Sequence, residues 1–253
     1  MTGKKFNDLV EIMRKLRREC PWDAEQTHES IKSATLEEAY EVVESIDDKN
    51  LEELKSELGD LLLHIVFHSV IAEQDNNFTI DEVIDSIKDK LIRRHPHVFG
   101  NVEINSNKDI TRNWEAIKLS EGRNSVVEGI PKNLPELHKA FRIQEKVSKV
   151  GFDWEDKKDV WKKVEEEIQE FKNAENSGNL SEMEKEAGDI LFAFVNYYRF
   201  LGINAENALR KTNEKFTKRF GYIEEKLKLE NISIIDASLT EMDKYWEESK
   251  KIF

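Results

Sequence analysis

The chain has almost no cysteine: Cys20 stands alone among 253 residues, so no intrachain disulfide can form. Turn residues are nearly as scarce. Ten glycines and four prolines are too few for many short strands joined by tight turns. Positive charge is also in deficit, with 39 Lys and Arg against 52 Asp and Glu and a formal net charge of −13. Such a surface repels a phosphate backbone, because duplex nucleic acid is bound chiefly by cations that displace counterions, so no nucleic-acid partner is expected. A small phosphate ester is a different case, since a divalent cation held by the surplus carboxylates reverses the local field. Long apolar runs are missing as well. The most apolar stretch, residues 58–72, carries His64 and His68 and falls short of the roughly 20 residues a membrane span needs. The first residues lack the apolar segment of a secretory signal. The expectation is a cytoplasmic protein with no membrane association, in which residues 58–72 form a buried core helix.

What the chain has instead is charge threaded through apolar sequence, 36% charged against 38% hydrophobic residues. That is the balance of long amphipathic helices with solvated outer faces, so the fold class is read as all-α. It is also duplicated. Leu36-Glu37-Glu38-Ala39-Tyr40-Glu41 is followed sixteen residues after Glu41 by Glu57-Leu58-Gly59-Asp60. Likewise Glu166-Glu167-Ile168-Gln169-Glu170 is followed sixteen residues after Glu170 by Glu186-Ala187-Gly188-Asp189. All four acidic positions recur at a single offset of 129. Trp22-Asp23 resembles Phe152-Asp153, Lys90 and Arg94 share their spacing with Lys215 and Arg219, and Trp114 matches Trp246, at offsets that drift with loop length. Between the copies stand Gly122, Gly129, Pro131 and Pro135, and each proline biases its preceding residue away from helix. The organisation read from this is a helical domain over 1–120, a linker over 121–135 and a second helical domain over 136–253. A further irregular stretch is expected over 96–111, leading into a helix that carries Trp114.

On a helix, residues three or four apart share a face. Glu38 therefore projects with Glu41, and Glu57 with Asp60. The short polar turn at 47–50 lets two antiparallel helices bring both pairs to one point. Residues 176–179 do the same for Glu167, Glu170, Glu186 and Asp189. Acidic pairs at helical spacing are by themselves ordinary solvated surface, but two features set these apart. Asp60 and Asp189 interrupt apolar runs, where a charge is costly unless it is paired or ligates a metal. Gly59 and Gly188 each cost about 1 kcal/mol of helix propensity against Ala, which predicts tight helix packing beside the site. Converging carboxylates raise one another's pKa unless cations sit among them. Mg²⁺ is the expected occupant, because it prefers oxygen ligands and bridges carboxylates to phosphates, with Mn²⁺ as its substitute. A di-iron bundle would need Glu-x-x-His. Here the pair is Glu-x-x-Asp, and His64, one turn past Asp60, has Ala193 as its counterpart. His64 and His68 read as core or dimer-contact residues.

These residues belong to a longer ordered series. It includes Cys20-Pro21-Trp22-Asp23 with Gln26-Thr27-His28, the acidic pairs, Arg93-Arg94-His95-Pro96-His97-Val98-Phe99 and Gly129-Ile130-Pro131. It continues through Val150-Gly151-Phe152-Asp153-Trp154, Gly188-Asp189-Ile190-Leu191-Phe192-Ala193, and Asn213-Glu214-Lys215-Phe216 with Arg219-Phe220. Over nearly its whole length the chain resembles the MazG nucleoside triphosphate pyrophosphohydrolases of the all-α NTP pyrophosphatase superfamily. The resemblance implies two tandem helical-bundle repeats intertwined as a homodimer. It also implies Mg²⁺-dependent hydrolysis of many ribo- and deoxyribonucleoside triphosphates to monophosphate and pyrophosphate, credited chiefly to the C-terminal copy. The metal ligands it implies are Glu167, Glu170, Glu186 and Asp189, with Glu38, Glu41, Glu57 and Asp60 as a second candidate site. Lys215, Arg219 and Trp246 would hold the triphosphate and nucleoside, joined by Lys163, one turn before Glu167. Glu166 or Glu167 would orient or deprotonate the attacking water, and spacing does not choose between them. Taken alone, Lys215 and Arg219 would be a basic stripe on an exposed helix, while Trp246, Phe152, Trp154 and Trp22 suit a core as well as a base pocket. Two other readings stay open: a narrow-specificity pyrophosphatase, and a nucleotide-sensing helical module without turnover.

Overall fold

The computed structural model describes residues 2–102, 114, 117, 120–122 and 124–253. Among these residues all regular structure is helical, as the composition implies. The chain divides into two compact units, Met1–Glu103 and Ile104–Phe253.

In the first unit, α1 (Thr2–Glu19), α2 (Pro21–Glu25), α3 (Lys32–Asp47), α4 (Leu51–Gln74), α5 (Ile80–Arg94) and α6 (Pro96–Phe99) follow in order. The closest pairing is α3 against α4, with α1 and α5 also packed on α4. The α3–α4 turn is set by Lys49 in the left-handed region at φ 55°. Asn50 then caps α4 by accepting from the Glu53 amide at 3.2 Å. The core joins Val10 and Met13 of α1 to Val66, Phe67, Val70 and Ile71 of α4, with Ile31 and Ile80 closing it. The 58–72 segment is thus core over only part of its length. Residues from His64 onward are largely buried, whereas Leu58, Leu62 and Ile65 are exposed, because the α1 residues in the core pack on the C-terminal half of α4. The irregular stretch expected from residue 96 begins with one helical turn, started by Pro96 at a position where its missing N–H costs nothing. Trp114 is described, but most of the helix expected around it lies outside the described residues.

In the second unit, α7 (Glu136–Ser148), α8 (Lys157–Ser177), α9 (Leu180–Phe200), α10 (Ala205–Leu229) and α11 (Leu239–Ser249) follow. Helix α9 is central, packing on α8, α7 and α10, and α11 packs on α10. Gly178 turns the chain at φ 69°. Asn179 caps α9 by accepting from the Ser181 and Glu182 amides at 3.1 and 3.4 Å. Lys49 and Gly178, like Asn50 and Asn179, stand at the same offset as the acidic residues, so the repeat extends through the turn that aligns them. Gly suits that position better, since a side chain resists φ > 0. Buried Lys146 on α7 donates to the Val126 and Glu128 carbonyls at 3.2 and 2.6 Å, tying that loop to the unit. Ile223, Leu227 and Tyr245 form a second core between α10 and α11.

Candidate metal and nucleotide site

Each helical hairpin brings its carboxylates together. In the first unit, ligand atoms of Glu38, Glu41 and Glu57 all lie within 4.8 Å of one another. In the second, those of Glu167, Glu186 and Asp189 do so. The remaining two predicted acids are near but outside those triads. Asp60 acts electrostatically on Glu38 and Glu57, and Glu170 feels Glu167 and Glu186. Helical periodicity explains the convergence. Glu167 and Glu170 sit one turn apart on α8, Glu186 and Asp189 one turn apart on α9, and the capped turn at Gly178 and Asn179 sets the two helices side by side.

The two clusters differ in their surroundings. Glu167 and Glu186 are buried, 5% and 7% exposed, where an uncompensated carboxylate is costly. Lys163 Nζ donates to Glu167 Oε1 at 2.6 Å and to Glu166 Oε1 at 2.8 Å. These hydrogen bonds hold its ammonium well above the ordinary lysine range. Lys185 Nζ meets Glu186 Oε1 at 2.8 Å. Glu186 Oε2, however, is buried with no hydrogen-bond partner. An all-oxygen donor set containing an orphaned buried carboxylate oxygen fits a hard divalent cation such as Mg²⁺ or Mn²⁺. In the first unit Ala34 stands where Lys163 is, and the basic side chain beside the carboxylates is His64, whose Nε2 is 3.8 Å from Glu38 Oε1. His64 is buried and His68 half-buried, both hydrogen-bonded to Thr35 Oγ1 at 3.0 Å.

Desolvation, then the like charges of neighbouring acids, raises the carboxyl pKa of Glu170, Glu38 and Glu57 above the ordinary range. A carboxyl raised in the folded state holds more protons there than when unfolded. Its favourable contribution is complete below the unfolded pKa and is lost as pH rises through the folded one. Without metal, the melting temperature is therefore expected to fall across that window, and Glu170→Gln to flatten the decline slightly, since Glu170 is exposed and screened. A melting profile in chelator that is identical for Glu170→Gln and wild type would place Glu170 outside the cluster's field.

A cleft of about 340 Å³ opens beside the second cluster. Lys163, Glu167 and Asp189 line it together with Phe152, Trp154 and an apolar wall that includes Phe192. Glu166 is exposed and does not line it; nor do Lys215, Arg219 or Trp246. Lys215 is exposed on α10. Arg219 and Trp246 meet each other instead, with the guanidinium carbon 5.7 Å from the ring centroid and Arg219 Nη2 donating to the Phe253 carbonyl at 2.6 Å. Trp22 is exposed in the first unit. The expected tight packing at Gly59 and Gly188 is not found: a Cβ at either would meet nothing within 4 Å, because both face open space.

Sequence reasoning missed four cleft residues. Asp153 grips Arg199 through a two-pronged pair at 2.6 and 3.0 Å. Arg199 in turn donates to Asn196 Oδ1 from Nε and Nη2 at 3.0 and 2.9 Å. Gln144 of α7 lines the cleft as well. Asn196 and Arg199 were detectable as polar residues seven and ten positions past Asp189, on the same helical face. Their counterparts in the first unit are Phe67 and Val70, both in the core.

Comparison with known proteins agrees with this arrangement. The model of the MazG nucleotide pyrophosphohydrolase domain matches residues 26–99 and 156–222, the segments that carry the two clusters. The chain is 45% identical over 253 residues to the nucleoside triphosphate pyrophosphohydrolase/pyrophosphatase MazG of Thermotoga maritima, covering 98% of this chain and 96% of that protein. It is 38% identical over 256 residues to the nucleoside triphosphate pyrophosphohydrolase of Escherichia coli K12, covering 98% and 97%. The uncharacterized protein YabN of Bacillus subtilis is 46% identical over 256 residues, with 98% of this chain matching 52% of its length. With two matched segments that together span more than half its length, the chain belongs to the MazG nucleotide pyrophosphohydrolase family.

Proposed function

We propose that the protein hydrolyses nucleoside triphosphates, ribo- and deoxyribo- alike, to monophosphate and pyrophosphate with Mg²⁺, and that the second copy does the work. The observation that carries this is the cleft where Lys163, Glu167 and Asp189 stand beside two aromatic rings. One end suits a metal-bound polyphosphate and the other a nucleoside. Glu167, Glu170, Glu186 and Asp189 would hold the metal, which when bound neutralises phosphate charge and lowers the pKa of a coordinated water. Water attacks the α-phosphorus, the bond to the β-bridging oxygen breaks, and pyrophosphate leaves. Lys163 lines the same cleft, which supports its meeting phosphate oxygens as a point charge. Of the two acids expected to orient the water, Glu167 lines the cleft and Glu166 does not, which favours Glu167.

The first copy keeps the acidic set but has Phe67 and Val70, both in its core, where the cleft has Asn196 and Arg199, so hydrocarbon fills the place of that polar pair. This supports a structural role for it. We place the copies at 1–120 and 136–253, joined by 121–135. Exposed Leu58, Leu62 and Ile65 on α4, with Leu36 and Tyr40 on α3, support burial of this face in a homodimer.

The test is incubation with each common nucleoside triphosphate and Mg²⁺, with products resolved by ion exchange and a parallel run in EDTA. Metal-dependent monophosphate and pyrophosphate are expected. Diphosphate and orthophosphate would mean attack at the γ-phosphorus, and binding without turnover would make the chain a nucleotide sensor.

A further inference from the structure

We propose that Gln144 and Asn196 read the edge of the substrate's base, Gln144 Oε1 accepting an N–H and Asn196 Nδ2 donating to a ring nitrogen or carbonyl oxygen; this rests on the pyrophosphohydrolase reading above. Both side chains line the cleft, and each is only 5% exposed. Their amide orientations are fixed by partners that cannot reverse roles. Gln144 Nε2 donates to the Phe192 carbonyl at 2.8 Å, and a flipped amide would set oxygen against oxygen. Its Oε1 is therefore the free end, and it is buried with no hydrogen-bond partner. A buried acceptor left unpaired is unfavourable, so a ligand N–H gains by meeting it.

Asn196 is held from the other side. Its Oδ1 takes two N–H groups from Arg199, and a guanidinium has no acceptor to offer a flipped amide. The Asn196 amino group is thus the donor on offer. Arg199 cannot leave for a phosphate, since Asp153 holds both its terminal nitrogens. It acts as a positioning residue for Asn196.

The pair also sits at the right depth. Asp189, Phe192, Ala193 and Asn196 of α9 all line the cleft. At 1.5 Å of rise per residue, Asn196 lies about 10 Å along the helix from Asp189. A nucleotide whose phosphates engage the carboxylate end would extend its base toward Asn196, with Phe152 and Trp154 available to its faces.

The test compares ATP with purine riboside 5′-triphosphate, which keeps the purine ring but has no N–H on its six-membered edge. Wild type is expected to favour ATP by about tenfold in kcat/KM, the effect of one buried hydrogen bond. In Gln144→Met the two substrates should become equal, ATP having lost what the analogue never had. Asn196→Asp keeps the acceptor for Arg199 but removes the donor, and should raise KM while changing the ranking of the four common bases. The proposal is overturned if Gln144→Met retains the ATP preference or slows both substrates alike, or if Asn196→Asp leaves the base ranking unchanged. Failure of wild type to release pyrophosphate from any nucleoside triphosphate would defeat the reaction reading instead. The base-reading pair is then decided by calorimetric Kd values for the same two nucleotides with Mg²⁺. A difference abolished by Gln144→Met upholds it, and equal affinities in wild type reject it.

Discussion

Asp189→Ala is expected to lower pyrophosphate release in saturating Mg²⁺ by on the order of 10³-fold or more, because a metal clamp on a transferring phosphoryl group contributes several kcal/mol. Asp189 lines the cleft and lies within 4.8 Å of Glu167 and Glu186. On the proposed assignment its loss removes one metal ligand from the cleft wall. Glu170→Ala should act in the same direction. Its carboxylate stands outside the closest triad, in the field of Glu167 and Glu186, so restoration of some activity at high Mg²⁺ is expected there first. Neither change should unfold the protein. Each removes a like charge from an acidic cluster, so the metal-free variants should melt no lower than wild type. Steady-state release of pyrophosphate, with melting curves in EDTA alongside, separates the two effects. Wild-type turnover by Asp189→Ala would overturn the assignment of the site. Glu41→Ala and Asp60→Ala, with the same chemistry in the first copy, should change kcat/KM by less than about threefold. An equal loss would move catalysis to both copies.

The all-helical class and the two acidic hairpins were legible in the sequence because both follow from one-dimensional periodicity. Charge threaded through apolar residues at helical spacing makes amphipathic helices, and acids three apart on helices joined by a capped turn must face one another. The turn belonged to the same repeat, with Asn50 and Asn179 as caps, although its meaning depends on the left-handed conformation of Lys49 and Gly178. What was not legible is which third element closes the site. Gln144 enters from α7, and no spacing within α8 or α9 indicates that α7 packs on α9. Lys215, Arg219 and Trp246 illustrate the converse. Their spacing puts Lys215 and Arg219 on one face of α10, but not which cavity that face meets. Within this chain Arg219 meets Trp246 and the Phe253 carbonyl. Gly59 and Gly188 misled for a related reason: a helical glycine signals close approach only if something approaches, and within each unit nothing does.

The contrast between the copies can be tested as stability. Phe67→Ala is expected to cost about 3–5 kcal/mol, the loss of a buried aromatic plus the cavity left behind. Phe67 is 5% exposed, packs in the cluster with Val10, Met13, Val66 and Val70, and has the Arg17 guanidinium 5.7 Å from its ring centroid. Its counterpart Asn196 lines a cleft at the same register of a helix with the same acidic start. The duplicated hairpin has therefore used one position for opposite purposes, filling it with hydrocarbon in one copy and leaving it open and polar in the other. Because the chain has two units, a melting curve does not say which of them is destabilised, so the effect should be read by hydrogen exchange. Protection should fall in α1 and α4 while α8 and α9 keep theirs, and pyrophosphate release should persist at temperatures where the second unit remains protected. A loss below about 1 kcal/mol would mean that the first unit tolerates an opening at residue 67. The argument that its core excludes a nucleoside would then fail, and the acidic residues Glu38, Glu41, Glu57 and Asp60 would regain standing as a second active site.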